Sequence, residues 1–500
     1  MFLLGYDIGS SSVKVSVLSA ETGKCLASAY SPKEEMEIVS DRPGWAEQDP
    51  MNWWKHLVLA TQELLMHADI DKKHIVAIGL SYQMHGLVII DKQGKPLRPS
   101  IIWCDSRAVG IGQEAFQSIG SEKCLSALLN SPGNFTASKL KWVKDHEPDI
   151  YEKVYKMMLP GDYIAYLLTG EIRTTPSGLS EGIMWDFQQH GLSETLMDTY
   201  GFNRAFIPEV VPNFSVQGTL TSEAASELGL DPGIPLTYRA GDQPNNAFSL
   251  NVLHPGEVAA TAGTSGVVYG VSDQVRYDHL SRVNTFAHVN HSEAMTRLGV
   301  LLCINGTGIL NSWLKRHVGS QQISYNDMNA LAAGIKPGSE GLSVLPFGNG
   351  AERMIGNKNI GCVVDGLDFN RHTQATLLRA SQEGIVFSFH YGMEIMKETG
   401  ITPKVIRAGH ANMFLSDLFA ESLASVSGAA IELYNTDGSQ GAARAAGIGC
   451  GIYKSPDEAF DGLQVVKTIK PNPTMAEPLN IAYQKWKTIL EQKIRNMEPS

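Results

Sequence analysis

The sequence predicts an α/β protein built from two domains, and three observations carry that prediction. At 500 residues the chain exceeds one ordinary domain. Short apolar runs rich in β-branched residues alternate with longer stretches of helical spacing. A strand–turn–strand pattern at the start, "FLLGYDIGSSSVKVSVL", returns near the middle as "EVAATAGTSGVVYGVS".

Taken in order, Phe2–Tyr6 and Val13–Leu18 read as strands around a turn of Gly9 and three serines, and Glu21–Tyr30 supplies a turn and a third strand. "MNWWKHLVLATQELLMHA" follows with helical spacing. Trp54, Leu57, Val58, Leu64 and Leu65 form its apolar stripe, and the methyl group of Thr61 can pack there. "HIVAIGLSYQ" is a buried strand, and "LVIIDKQGKPLRP" is a strand and a Gly turn. "SKLKWVKDHEPDIYEKV" is amphipathic and breaks near Pro148. The repeated hairpin starts a second half, so the boundary is expected near His254–Gly256, dividing 1–254 from 255–500. Helices are expected at Gly308–His317, Gln374–Lys397 and Ser416–Ser427, and a last one carries Trp486, Ile489, Leu490 and Ile494. With no Pro/Ser linker between them, the halves should pack around a central cleft, a common place for ligands.

Composition narrows the function. The net charge of −11 argues against a broad nucleic-acid surface. No apolar run approaches the ~18 residues of a spanning helix, and the N-terminus does not read as a secretory signal. The six cysteines are scattered, which fits reduced thiols in a cytoplasmic protein.

The two turns are the first chemical signal. Small residues let backbone approach an anion, and hydroxyls and N–H groups then donate to phosphate oxygens. Ser10, Ser11 and Ser12 can do this in the first turn, and Gly263, Thr264 and Ser265 in the second. Asp7 would repel a phosphate directly, so its sensible role is to hold Mg²⁺ through water, with Lys14 balancing charge nearby. Either turn alone also reads as an ordinary hairpin. Asp242 follows a short strand and a Gly in "LTYRAGDQPNNAFSL". It reads equally as a base for a substrate hydroxyl and as a helix N-cap. His85 in "SYQMHGLVIID" reads as a structural histidine or as a partner for a sugar hydroxyl, with Met84 covering an apolar edge. Asp105 and Arg107 read as a surface ion pair or as a polar wall of the site.

Together these motifs resemble the FGGY class of carbohydrate kinases, and within it the xylulose kinases, in the right order over nearly the whole chain. "DIGSSSVK", "WAEQDPMNWW", "QMHG", "LRPSIIWCDSRA", the Gly241–Asp242 pair and "AGTSG" carry the resemblance. It implies two ribonuclease H-like domains of the actin/hexokinase type closing over ATP and sugar. It implies ATP-dependent phosphorylation of D-xylulose to D-xylulose 5-phosphate, with Mg²⁺ near Asp7. Asp242 would then be the catalytic base, and Met84, His85, Asp105 and Gln243 would face the sugar. Ser10, Ser11, Ser12, Lys14, Gly263, Thr264, Gly306, Gly409 and Asn412 would face the nucleotide. A homodimer is a family-level expectation. Gln243 resembles the glycerol kinases, so ribulose, glycerol or gluconate are alternative acceptors. A non-catalytic ATP- or sugar-binding regulator on the same fold is the alternative of another class.

Overall fold

The computed structural model describes residues 1–318 and 323–497. Its first sheet is made of β1 (Phe2–Ile8), β2 (Val13–Ser19), β3 (Cys25–Ser31), β4 (Ile75–Tyr82), β5 (Phe214–Thr219) and β6 (Pro235–Gly241). They lie in the order β5-β6-β4-β1-β2-β3. The strands β1, β2 and β3 form an antiparallel meander, β4 runs parallel to β1 and to β6, and β5 is antiparallel to β6.

The second sheet contains β7 (Val258–Ala262), β8 (Gly266–Ser272), β9 (Asn284–Ala287), β10 (Leu298–Ile304), β11 (Val405–Gly409), β12 (Ala430–Tyr434) and β13 (Val465–Ile469). Their order is β9-β10-β8-β7-β11-β12-β13. Again a hairpin, β7–β8, extends into an antiparallel run, while β11 and β12 add in parallel on the other side. The repeated hairpin in the sequence is therefore the visible part of a repeated sheet.

The helix Pro50–His67 covers one face of the first sheet and buries Trp53, Trp54, Leu57, Ala60 and Leu64. Thr61 is buried as the spacing predicts, but through its hydroxyl, which bonds the Tyr6 hydroxyl at 2.9 Å and donates to the Leu57 carbonyl. The chain breaks at Pro148 as expected: the helix Thr136–His146 ends and a short one, Pro148–Tyr151, begins. In the second half, Trp486 and Tyr483 of the last helix, Pro473–Arg495, pack against Phe387 of the helix Gln374–Glu398.

The other face of the first sheet is covered from far away in sequence. The helix Gly438–Gly449 lies across β1, β2, β4 and β6. Its small residues allow contact at backbone distance. A Cβ added at Gly5 of β1 would lie 2.0 Å from the Ser439 carbonyl oxygen, and one at Gly79 of β4 would lie 2.0 Å from that of Ala442. Among the described residues no helix is long and apolar enough to cross a membrane.

Candidate functional site

The β1–β2 hairpin closes with the Gly9 N–H donating to the Ser12 carbonyl at 3.0 Å. Register sets Asp7 opposite Lys14 on the antiparallel side and beside Ser81 on the parallel side. The Ser81 hydroxyl donates to Asp7 Oδ1 at 2.8 Å. Lys14 Nζ reaches past the hairpin to Asp437, which caps the helix Gly438–Gly449 by accepting from the Gln440 N–H at 3.0 Å. Burial works against the Asp437 charge, but Lys14, Ser439 and Gln440 outweigh it and hold the carboxyl below its ordinary value. Burial raises Asp7, with Ser81 and Lys14 opposing and the Asp437 charge adding to the rise.

Asp242 stands at the first position of the helix Asp242–Ser249, where β6 ends. The N-cap is Gly241, so the cap alternative for Asp242 does not hold. Burial, then the neighbouring Asp7 charge, push Asp242 up to about 7, while the backbone and side chain of Gln243 donate to it and pull the other way. A cleft of ≈ 310 Å³ is lined by Asp7, Ser10, Ser11, Ser12, Lys14, Gln83, Trp103 and Asp242. Trp103, 52% exposed, donates to the Ser10 hydroxyl at 3.3 Å.

A second cavity of ≈ 580 Å³ lies against the β7–β8 turn. Gly263, Thr264 and Asn412 line it, joined by Gly308, Tyr325 and Asn329 among others. Two expected contacts do not reach this wall. Gly306 gives its N–H to Glu352 Oε1 at 3.0 Å, and an added Cβ would meet the Pro346 carbonyl oxygen at 1.9 Å. It packs closely against backbone. Gly409 ends β11 and leaves the wall to Asn412 and Met413. A third cavity, ≈ 710 Å³, runs between the Asp91–Leu97 and Glu152–Lys156 segments and includes none of the predicted site residues.

On the sugar side expected for "QMHG", Met84 is 4% exposed and packs against Gly241, where a Cβ would lie 2.5 Å from Met84 Cγ. His85 has a left-handed backbone, φ 62°. Its Nδ1 lies 2.9 Å from the Glu181 carbonyl. A carbonyl only accepts, so Nδ1 carries the proton and Nε2 keeps a free lone pair. Burial, with Lys139 second, lowers His85 to about 3, which keeps the ring neutral. Phe135 and Phe286 flank it at 4.7 and 5.4 Å between ring centres. Lys139, fully buried, ties this loop to the next one by donating to the His85 carbonyl at 2.7 Å and the Ile102 carbonyl at 3.0 Å.

Asp105 is not a surface residue, and its carboxylate is turned to protein partners. It is fully buried, and both oxygens are taken by Arg107 and by the Ala46 N–H. The Arg107 guanidinium in turn lies 3.8 Å from the Trp45 ring centre. The pair fixes the "WAEQ" segment beneath the site. Sequence reasoning missed Asp437, whose only signal was an acid ahead of a small-residue helix, and Glu181, which gave none.

The sequence pattern of the FGGY family of carbohydrate kinases, N-terminal domain, matches residues 2–249. A xylulose kinase of Staphylococcus epidermidis is 30% identical over 94% of this chain and 92% of its own length. The chain belongs to the FGGY family of carbohydrate kinases. It is therefore a sugar phosphotransferase. An L-xylulose/3-keto-L-gulonate kinase of Escherichia coli is 28% identical over 98% of this chain and 96% of its own length. The crystal structure of xylulose kinase from Rhodospirillum rubrum superposes with a TM-score of 0.88 at 25% identity, covering 98% of this chain and 99% of that one. The two-domain FGGY fold thus accounts for the two sheet-containing halves.

Proposed function

We propose that this FGGY kinase transfers the terminal phosphoryl group of ATP to the end hydroxyl of D-xylulose, giving D-xylulose 5-phosphate. The observation that carries the reading is the shared cleft: Asp242 lines it together with the serines of the first turn, Asp7 and Lys14. Asp242 accepts the proton of the attacking hydroxyl, and a base with a value of about 7 is matched to work near neutral pH. The first turn offers hydroxyls to phosphate oxygens, and the second turn with its ≈ 580 Å³ cavity takes the rest of the nucleotide. The free lone pair on His85 Nε2 accepts from a sugar hydroxyl, and Met84 covers the apolar side.

The donor set fits Mg²⁺. Asp7 is a hard oxygen ligand with the Asp437 charge beside it. Among the described residues no three side-chain ligands converge on one point, so a cation held by Asp7 keeps most of its waters, as Mg²⁺ prefers. When bound it offsets charge on the phosphates. Ser81 holds the Asp7 carboxyl in place, and the Lys14 charge favours its ionised form.

A second reading is favoured by Gln243, which bonds the base directly: the acceptor is another ketose, a polyol or a sugar acid. One assay separates the two. ADP release with Mg-ATP is measured against D-xylulose, L-xylulose, ribulose, glycerol and gluconate. D-xylulose is expected to give the highest kcat/KM, and no xylulose-dependent turnover would remove the assignment.

A further inference from the structure

Glu181 ends the helix Pro176–Glu181 and is a buried acid that the reaction scheme above does not use. It is 1% exposed, and neither carboxyl oxygen has a partner in hydrogen-bond geometry. The cations near it are committed elsewhere. Arg239 pairs with Asp162 at 3.3 Å, and Lys139 donates to two backbone carbonyls. The titratable groups facing it are Tyr82 on β4, Asp162, Lys139, Asp242 and Tyr269 on β8.

Its position joins the parts of the sugar side. A Cβ on Gly241 would lie 2.6 Å from Glu181 Oε2 and 2.5 Å from Met84 Cγ, so carboxyl and thioether both close on the turn before Asp242. The Glu181 carbonyl accepts from His85 Nδ1. The preceding residue, Ser180, accepts at its hydroxyl from the Ala287 N–H on β9, at 2.9 Å. One short helix therefore touches the sugar-facing loop, the base turn and the second sheet.

A carboxylate in such a place would lose its hydration, the Tyr82 hydroxyl and the Lys139 charge that face it offset only part of that loss, and such groups keep their proton instead. An ionised Glu181 would also set a second buried negative charge beside Asp242. Burial, foremost, raises Glu181 well above the ordinary glutamate value, and the Asp242 charge acts in the same direction.

We propose that Glu181 is a positioning residue of this site, a carboxylic acid kept neutral, whose side chain seats Met84 against the Gly241–Asp242 turn and whose carbonyl orients His85. The proposal rests on the sugar-side reading given above. Its test uses Glu181→Gln and Glu181→Ala in the full chain. Infrared spectra of the substrate-free enzymes at neutral pH are compared first. The difference between wild type and Glu181→Gln is expected to contain the C=O stretch of a protonated carboxyl. Carboxylate bands in its place overturn the proposal. This readout involves no turnover, so it stands apart from any failure of the xylulose assignment.

Kinetics follow with whichever sugar of the panel turns over best. Glu181→Gln keeps kcat and the sugar KM within about threefold. Glu181→Ala raises the sugar KM by about tenfold or more while the ATP KM stays within about twofold. A sugar KM unchanged in Glu181→Ala overturns the positioning role. Should the alanine variant fail to fold, the glutamine variant decides: the proposal falls if that variant shows no loss of a protonated-carboxyl band.

Discussion

The turn between β1 and β2 is flanked by Asp7 and Lys14, facing each other in register, with Asp437 and Asp242 close by. The turn between β7 and β8 is flanked by Ala262 and Gly266, and its cavity gathers Thr264, Asn329 and Asn412. Both turns close the hairpin at the middle of their sheet, next to a parallel strand. One is surrounded by carboxylates and Lys14, the other by small and amide side chains with Arg316 at its wall. In the proposed mechanism the first, charged cradle handles the reacting phosphoryl group and the second anchors the rest of the nucleotide.

The largest blow to that division should come from Asp242→Asn. It is expected to lower kcat by about 10²–10⁴-fold with small changes in either KM, measured by steady-state kinetics. In the wild type, kcat/KM should fall as pH drops through about 7, the value to which burial and Asp7 push Asp242. The sign for stability is opposite. The folded state holds this proton where the unfolded chain has lost it, so stability falls as pH rises from the unfolded value of about 3.8 through about 7. Asp242→Asn should therefore raise Tm most above pH 7, and the gain should shrink as pH falls and vanish only below about 3.8. An equal Tm for both proteins across that range would show that Asp242 carries no buried charge.

Next in size is the seam that brings Asp437 to the charged cradle. Gly79→Ala sets a methyl against the Ala442 carbonyl oxygen at 2.0 Å, backbone against sheet, with no flexible side chain to give way. A loss of about 3 kcal/mol is expected in denaturant titration, at the upper end of overpacking effects. Loss of less than about 0.5 kcal/mol would mean that the helix does not press on the sheet. The smallest effect probes the second cradle. Thr264→Ala should raise the ATP KM by about fivefold and leave the sugar KM alone, as loss of a single neutral hydrogen bond would. If instead the sugar KM moved and the ATP KM did not, the assignment of the two cradles would have to be exchanged.

How much of this was legible in the chain depended on distance along it. Both hairpins, the helix at Pro50–His67 and the break at Pro148 follow from local spacing and turn chemistry. The first cradle was legible for the same reason, since Asp7, the serines and Lys14 are neighbours in sequence. Asp437 was not, because its partner Lys14 lies 423 positions away. Asp105 was misread because a sequence cannot show that Arg107 and the Ala46 N–H occupy both its oxygens. The close approach of Gly306 to Pro346 was not legible either, because no local pattern connects the two segments. Glu181 left no trace at all, since its meaning lies in what its carboxyl lacks.

The Gly438–Gly449 helix also bears on how the molecule is made. A ribosome emits the first sheet well before this covering helix, so that face of the nascent sheet waits for residues made some two hundred positions later. The N-terminal half released alone would keep that face open. The first half therefore cannot complete its own packing until the second has been made.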